Sequence, residues 1–259
     1  YPLQPISEYE PPETPVESLL AMWDGLGIDR GVIVHALPAG KDNVVTLDAL
    51  KAHPDRLRGV AVIKPEISDA RLDEMDAAGF RGVRINLMRQ GGKKLYQGGM
   101  GMEDLVALAP RLADRGWHAQ IWMESGELAD ACEELEKLPI ENFVVDHMGR
   151  TKTDAGLDYR GYQALFRLLG SGRWWCKLSG ADRNTLEGAP YADAAKYQAA
   201  LAEANPERVV WGTDWPHVGH SAETMPDARV LAGLLFETIG DEAVRRRILV
   251  DNPAALYGF

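Results

Sequence analysis

Short apolar runs of strand length alternate with amphipathic stretches of helix length along most of the chain. Apolar residues at helical spacing predict helices, and β-branched runs that end at glycine or a polar residue predict buried strands. The predicted strands are 31–36, 57–63, 82–87, 117–123, 142–146, 174–178 and 208–211. The predicted helices are 16–26, 42–52, 68–78, 102–115, 127–137, 159–169, 191–204, 228–239 and 241–250, with a turn through Tyr257. This alternation predicts an α/β protein with a parallel sheet.

The strand count favours a barrel over an open sheet. A parallel barrel of this class closes with eight strands, so we expect the missing first strand before Tyr1. The fold is then a distorted (β/α)8 TIM barrel, with residues 1–259 as one domain. An open doubly wound sheet is the competing architecture, but the turn Leu37-Pro38-Ala39-Gly40 is not a phosphate-binding loop.

Two segments fall outside the alternation. The first fifteen residues contain five prolines, which exclude a helix and predict an extended arm. Tyr9 in this arm is interpreted either as a lid contact or as a packing residue. The glycine-rich stretch 91–101 has no phosphate-loop motif between a strand and a helix, so we expect a flexible lid there.

Charge and composition narrow the range of partners. The chain has 28 Lys and Arg against 39 Asp and Glu, a net charge of −11, which repels nucleic acid and anionic membranes. Any bound anion must therefore be held by a local cluster. Two cysteines and the lack of a bilayer-length apolar run predict a cytoplasmic protein, and we expect a monomer or a small homo-oligomer.

The stretch 209–217 joins a predicted buried strand to reactive side chains. Its apolar residues are followed at once by Asp214 and His217. Ligands bind at the carboxyl ends of parallel strands, so we expect both side chains to face substrate. The alternative is structural: Asp214 would cap a following helix, and His217 would be a hydrogen-bonded loop histidine.

Three arginines lie within or after other predicted strands. Arg84 stands inside an apolar run, where a buried guanidinium needs an anion, although a surface salt bridge is the alternative. Arg150 and Arg183 fall in predicted loops, where an arginine is either solvated or functional. Converging guanidinium groups in an acidic protein indicate a carboxylated substrate, because each can bind a carboxylate through two hydrogen bonds.

Further polar residues stand where strands end. His147 follows the predicted strand 142–146 and is either a site residue or a core histidine bonded to the backbone. The others are His35, Asn86, Trp122, Glu124, Ser179 and Asp182. An aspartate that takes a proton from water, beside guanidinium groups that hold an acid, suits hydrolysis of an activated carbonyl.

The strings Asp146-His147-Met148-Gly149-Arg150 and Gly212-Thr213-Asp214-Trp215-Pro216-His217 closely resemble the amidohydrolase superfamily. Within it, they resemble the 2-pyrone-4,6-dicarboxylate lactonases and the related sugar-lactone and muconolactone hydrolases. The resemblance covers essentially the whole chain and implies a distorted (β/α)8 barrel. It implies that Asp214 is the general base for water, that His147 helps to polarise the lactone carbonyl, and that Arg84, Arg150, Arg183 and His217 bind substrate carboxylates or order the site. Trp122 stands at a substrate contact where the lactonases have a tyrosine.

The resemblance also bears on metal binding. The first strand of the superfamily carries an H-x-H pair, which this chain does not contain and which we expect before Tyr1. The strand 117–123 does not end in the histidine of two-metal members, and His118 lies at its opposite end. A binuclear zinc centre is therefore disfavoured. We expect no cofactor, and a single zinc ion held by the upstream pair and Asp214 is the alternative.

These observations lead to one principal hypothesis. The chain is expected to be a hydrolase of aromatic or sugar-acid catabolism that opens a small anionic lactone, of the 2-pyrone-4,6-dicarboxylate, muconolactone or sugar-acid type. One alternative is a metal-dependent decarboxylase or hydratase of the same superfamily. The other is a non-catalytic protein that binds lactones or carboxylates without opening them.

Overall fold

The computed structural model describes residues 1, 3, 11–90, 92–95 and 98–259. Tyr9 and most of the proline-rich arm lie outside the described residues. The described chain divides into two compact units. Unit 1 comprises Tyr1–Gln120, Leu138–Glu141 and Tyr257–Phe259, and unit 2 comprises Ile121–Lys137 and Asn142–Leu256.

Unit 1 is an α/β unit built on parallel strands. Its helices are α1 (Val16–Leu26), α2 (Val44–Ala52), α3 (Asp69–Ala78) and α4 (Met102–Ala113), and its strands are β1 (Gly31–Val34), β2 (Leu57–Ala61), β3 (Phe80–Asn86), β4 (Arg89–Gln90), β5 (Lys93–Lys94) and the start of β6 (His118–Trp122). The sheet order is β1-β2-β3-β6, with β2 parallel to both β1 and β3, and β4 and β5 form a separate antiparallel pair.

Local sequence signals fix the ends of two helices in unit 1. The Ser68 hydroxyl accepts a hydrogen bond from the Arg71 backbone N–H at 3.2 Å and so caps α3. Gly27 ends α1 in the left-handed conformation, at φ 71°.

Unit 2 repeats the parallel pattern. It holds the end of β6 and the strands β7 (Phe143–Val145), β8 (Trp174–Lys177) and β9 (Val209–Val210), in the order β6-β7-β8-β9, with β8 parallel to both β7 and β9. Its helices are α5 (Ser125–Glu136), α6 (Arg160–Gly170), α7 (Ala181–Asn184), α8 (Ala192–Ala204), α9 (Ala228–Thr238), α10 (Glu242–Arg246) and most of α11 (Asn252–Tyr257). The described residues therefore carry seven strands in these two runs. The α/β class is confirmed, and the eighth strand stays a prediction.

The core of unit 2 explains why its strands are almost continuously apolar. Val144, Trp175 and Val210 come from three neighbouring strands and are buried together, with Leu256 packed against them. Burial on both faces removes the alternation of polar and apolar residues that a half-exposed strand shows.

Three details differ from the predicted elements. A short helix, α7, was not predicted, and Arg183 lies in it instead of in a loop. Helix α11 replaces the predicted turn through Tyr257. Part of the glycine-rich stretch forms β5, and the Met100 carbonyl accepts a hydrogen bond from the Asn86 N–H at 2.9 Å, which ties that end to β3. None of the described helices is long and apolar enough to cross a membrane.

Candidate active site

The loop after β9 holds two of the predicted site residues in an unusual backbone conformation. Asp214 and His217 lie in the left-handed region, at φ 58° and 56°, and the His217 N–H donates to the Asp214 carbonyl at 3.0 Å. The next helix, α9, begins only at Ala228 and is capped by Asp227. The alternative that Asp214 is a helix cap is therefore wrong.

Left-handed backbone recurs at the predicted site residues. The described residues other than glycine with positive φ are Asn43, His147, Met148, Arg150, Tyr191, Asp214 and His217. Each such residue costs about 1–2 kcal/mol, because its Cβ approaches a carbonyl oxygen. Four of the seven were singled out from the sequence for chemistry. Conformations of this kind persist where the surrounding structure enforces them, and they cluster at functional sites.

The Asp214 carboxylate contacts both an imidazole and a guanidinium. Arg183 Nε donates to Asp214 Oδ2 at 3.1 Å, and His147 Nε2 lies 3.6 Å from Oδ1. Arg183 also donates through Nη1 to the Val218 carbonyl at 2.8 Å, which fixes the guanidinium on the same loop. The Asp214 side chain keeps 24% of its surface exposed, so it can reach solvent or a ligand.

The His147 ring is held in place from the side opposite Asp214. Its Nδ1 lies 2.9 Å from Ser179 Oγ, and both residues are buried. Gly180, at φ 74°, packs under the ring, where an added Cβ would lie 2.7 Å from His147 Cβ. The strand end of β8 thus orients a histidine that follows β7.

His217 is a buried histidine without a conventional partner. Its side chain is nearly inaccessible, and neither ring nitrogen has a hydrogen-bond partner among the described residues. The described residues therefore supply none of the hydrogen bonds that the loop-histidine alternative requires for this ring. Burial lowers the pKa of His217, while the charges of Asp182 and Asp214 act in the opposite direction and that of Arg183 lowers the pKa further.

A second carboxylate lies against the Arg183 guanidinium. The Asp182 side chain is fully buried, and its Oδ2 lies 3.2 Å from Arg183 Nε and 2.9 Å from His220 Nε2. Its Oδ1 has no hydrogen-bond partner within the described part of the chain. Asp182 was among the strand-end residues predicted from the sequence, whereas His220 was not. The signal for His220 was a second histidine three residues after His217.

A buried ion pair joins the ends of β7 and β8. Lys177 Nζ lies 3.1 Å from Asp146 Oδ1, and the Asp146 side chain is completely buried. Sequence analysis did not single out Lys177. The available signal was a lysine ending an otherwise apolar strand, where an unpaired ammonium group would be costly.

The remaining predicted residues are placed as follows. In unit 2, Arg150 and Trp122 are half-buried, and Glu124 is exposed at the start of α5. Their contacts with substrate stay predictions. In unit 1, Arg84 is half-buried in β3, and Asn86 Oδ1 accepts a hydrogen bond from the Met88 N–H.

His35 and His118 in unit 1 have structural surroundings. The His35 ring nitrogens lie 2.8 Å from Thr46 Oγ1 and 2.5 Å from the Gly40 carbonyl oxygen, so both are occupied. His118 is buried edge-on against the Tyr257 ring, at the start of β6, as the sequence indicated. His35 is therefore not a site residue in the way its strand-end position suggested.

The superfamily resemblance implies a metal ion, which would need several His, Cys, Asp or Glu side chains close together. Among the described residues, no group of three or more His, Cys, Asp or Glu side chains is arranged to hold a metal ion. His147 Nε2 lies 3.6 Å from Asp214 Oδ1. The carboxylate of Asp182 is already in contact with Arg183 and His220. The described residues by themselves do not fit a metal centre.

The fold and these contacts together define an α/β protein with an acid, an imidazole and a guanidinium after its parallel strands. The amidohydrolase family model matches residues 1–259. The chain belongs to the amidohydrolase family.

Curated relatives cover nearly all of this chain. A 4-sulfomuconolactone hydrolase from Rhizobium radiobacter is 36% identical over 255 residues, which span 96% of this chain and 82% of that protein. A 2-pyrone-4,6-dicarboxylate hydrolase from Comamonas testosteroni is 33% identical over 266 residues, which span 99% of this chain and 85% of that protein. The resemblance drawn from the two motifs is confirmed.

A solved structure supports the same relationship. A probable 2-pyrone-4,6-dicarboxylic acid hydrolase from Acinetobacter baumannii, with citric acid bound, matches with a TM-score of 0.84 and 25% identity. The match covers 100% of this chain and 94% of that chain.

Proposed function

We propose that the protein is a hydrolase that opens a small lactone bearing at least one further acid group. The names of its relatives support this, because a sulfomuconolactone and a pyrone dicarboxylate are both ring esters with additional acid groups. Citric acid in the Acinetobacter relative is a further small molecule with several carboxyl groups.

The observation that carries the proposal is the placement of Asp214 between His147 and Arg183. The two carboxylate oxygens face different partners, at 3.6 Å and 3.1 Å. A carboxylate held in this way accepts a proton from a water molecule, while the neighbouring imidazole and guanidinium stabilise negative charge on the substrate.

In the proposed reaction, a water oxygen attacks the lactone carbonyl carbon and Asp214 takes the proton that the water loses. The carbon–oxygen bond of the ring then breaks, and that proton passes to the ring oxygen. The product is a ring-opened acid with a free hydroxyl or enol group.

His147 supplies the electrophilic contact. The Ser179 hydroxyl can donate to Nδ1, which leaves the proton on Nε2, the nitrogen that faces Asp214. An Nε2–H on that side donates to the carbonyl oxygen as it becomes negative.

The substrate contacts follow the resemblance residue by residue. We assign Arg150, Arg183 and His217 to the acid groups of the substrate or to the ordering of the site, and Trp122 to a further substrate contact. The roles of Arg84 and Tyr9 stay predictions from the sequence. Arg183 serves twice in this account, because the guanidinium that fixes Asp214 has further N–H groups to offer an anion.

A panel of lactones read by a pH indicator tests the proposal. Lactones with a carboxylate or sulfonate should release acid on opening, and matched lactones without the acid group should show kcat/KM lower by roughly 100-fold, from the loss of charged hydrogen bonds. If the enzyme releases acid from no lactone, or opens both sets equally well, the proposal is wrong.

The same panel distinguishes the alternatives. Lactone opening that disappears with a chelator and returns with zinc supports the alternative of a single bound zinc ion. A decarboxylase or hydratase would release acid from none of the lactones. Lactone binding measured by calorimetry, without acid release, supports the non-catalytic alternative.

A further inference from the structure

A buried carboxylate lies behind the site and touches no solvent. The Asp182 side chain has 0% exposure, although an isolated buried carboxylate costs several kcal/mol. Two cationic or donor groups offset this cost, because Arg183 Nε and His220 Nε2 both lie against Asp182 Oδ2. A neutral residue of similar size would avoid this desolvation cost, so the buried charge at Asp182 indicates a specific role.

The contacts form a chain that ends at Asp214. His220 Nε2 lies 2.9 Å from Asp182 Oδ2, and a carboxylate only accepts, so this ring nitrogen carries the proton. The same Asp182 oxygen lies 3.2 Å from Arg183 Nε, whose N–H is directed at Asp214 Oδ2, 3.1 Å away. Asp182 thus attracts the guanidinium at the same nitrogen without taking its hydrogen bond.

We propose that Asp182, aligned by His220, is a positioning residue that holds the Arg183 guanidinium in the orientation in which its Nε–H meets the Asp214 carboxylate. His220 then acts on Arg183 through Asp182, without touching substrate. The kinetic consequences rest on the proposed lactone hydrolysis, whereas the orientation of Arg183 does not.

The chain of contacts also explains the shape of the loop after β9. Arg183 Nη1 donates to the Val218 carbonyl, and His220 on the same loop meets Asp182. Asp182 and Arg183 are neighbours in α7, so one helical turn holds the loop at two points on either side of Gly219. Asp214 and its guanidinium partner are therefore fixed to one another through both segments.

The kinetic test is a double-mutant cycle between His220 and Arg183. His220→Ala should lower kcat about 10-fold, as expected for a lost hydrogen bond to a charged group, and His220→Gln should restore most of it because its amide N–H can reach Asp182. In an Arg183→Lys background, His220→Ala should change kcat by less than about 2-fold, because the effect passes through Arg183. Full additivity would overturn the proposal.

A substrate-free test uses the arginine Nε–H signals of the ¹⁵N-labelled protein in NMR spectra. The Arg183 signal is identified by its loss in Arg183→Lys. It should exchange slowly in the wild type, and it should shift and exchange faster in both His220→Ala and Asp182→Asn. An unchanged Arg183 signal in these folded variants would overturn the proposal.

The matched control is Glu223→Gln, on the same loop. The Glu223 carboxylate is exposed and accepts a hydrogen bond from Ser221, so its loss should alter neither kcat nor the Arg183 signal. If the wild type opens no lactone but the Arg183 signal responds as expected, the proposed function fails and the positioning role stands. If lactones are opened but the Arg183 signal does not respond, the proposed function stands and the positioning role fails.

Discussion

Asp214 combines a strained backbone with two charged or polar side-chain contacts. Its φ of 58° places it in a region that costs an aspartate energy, and its carboxylate meets Arg183 and approaches His147. No helix begins at this residue, so capping does not explain the conformation. A strained backbone at a residue with these side-chain contacts is a combination that occurs at functional sites.

Ser179 offers a test of how His147 is oriented. Ser179→Ala removes the hydroxyl 2.9 Å from His147 Nδ1 and should lower kcat about 5-fold, which corresponds to about 1 kcal/mol for a neutral hydrogen bond. KM should change little, because Ser179 is placed against the histidine and not against substrate. Steady-state kinetics on an opened lactone measures both constants, and a change confined to KM would contradict this role.

Sequence reasoning reached some site residues and missed others for a physical reason. Asp214, His147 and Arg183 stand after strands, and parallel strands bring their carboxyl ends to one edge, so their positions were predictable. Lys177 and His220 act by pairing with buried carboxylates. Such pairing depends on which side chains meet in space, and a single sequence does not reveal that.

At the scale of elements, the turn between β8 and α7 governs how closely two strand ends approach. Gly180 stands there with φ 74°, under the ring of His147. Two features require glycine: the left-handed backbone, and the lack of room for a Cβ, which would lie 2.7 Å from His147 Cβ. The short helix α7, which bears Asp182 and Arg183, starts at this glycine.

Two glycine variants separate these features. Gly180→Ala should destabilise the protein by about 2–5 kcal/mol, which sums the left-handed penalty and an overpacking cost. Gly188 has φ 80°, but nothing lies within 4 Å of an added Cβ. Gly188→Ala should therefore lower the free energy of unfolding by only about 1–2 kcal/mol. Urea unfolding gives both values. Equal losses would show that the close approach to His147 does not matter.

The element pattern was predictable to within a few residues, with instructive exceptions. Helix α3 begins at its serine cap and α1 ends at its glycine, because these signals are local. Helix α7 is a single turn with no apolar period, so nothing in the sequence pattern distinguished it from a loop. The eighth strand and the single-domain organisation stay predictions.

At the scale of the whole molecule, buried histidines link stability to pH. Burial lowers the pKa of His35 below its ordinary value of 6.5, although its hydrogen bond to the Gly40 carbonyl acts in the opposite direction. Just below pH 6.5, His35 therefore binds a proton in the unfolded chain but not in the folded protein. The stabilisation is complete above about pH 6.5 and is lost as the pH falls below it.

This linkage predicts a difference between two variants. Wild-type protein should lose thermal stability between pH 7.5 and 5.5, and His35→Gln should lose less over the same range. His53→Gln, at the end of α2, should follow the wild type. Melting curves at a series of pH values provide the comparison, and parallel curves for wild type and His35→Gln would contradict the prediction.

The most direct test of the account is acid release by Asp214→Asn on a lactone that the wild type opens, with ligand binding followed by calorimetry on the same preparation. The substitution keeps the shape of the side chain but removes its ability to take a proton from water. We expect turnover to fall by at least about 100-fold, with binding still measurable. Turnover at the wild-type rate would contradict the central claim that the Asp214 carboxylate activates water.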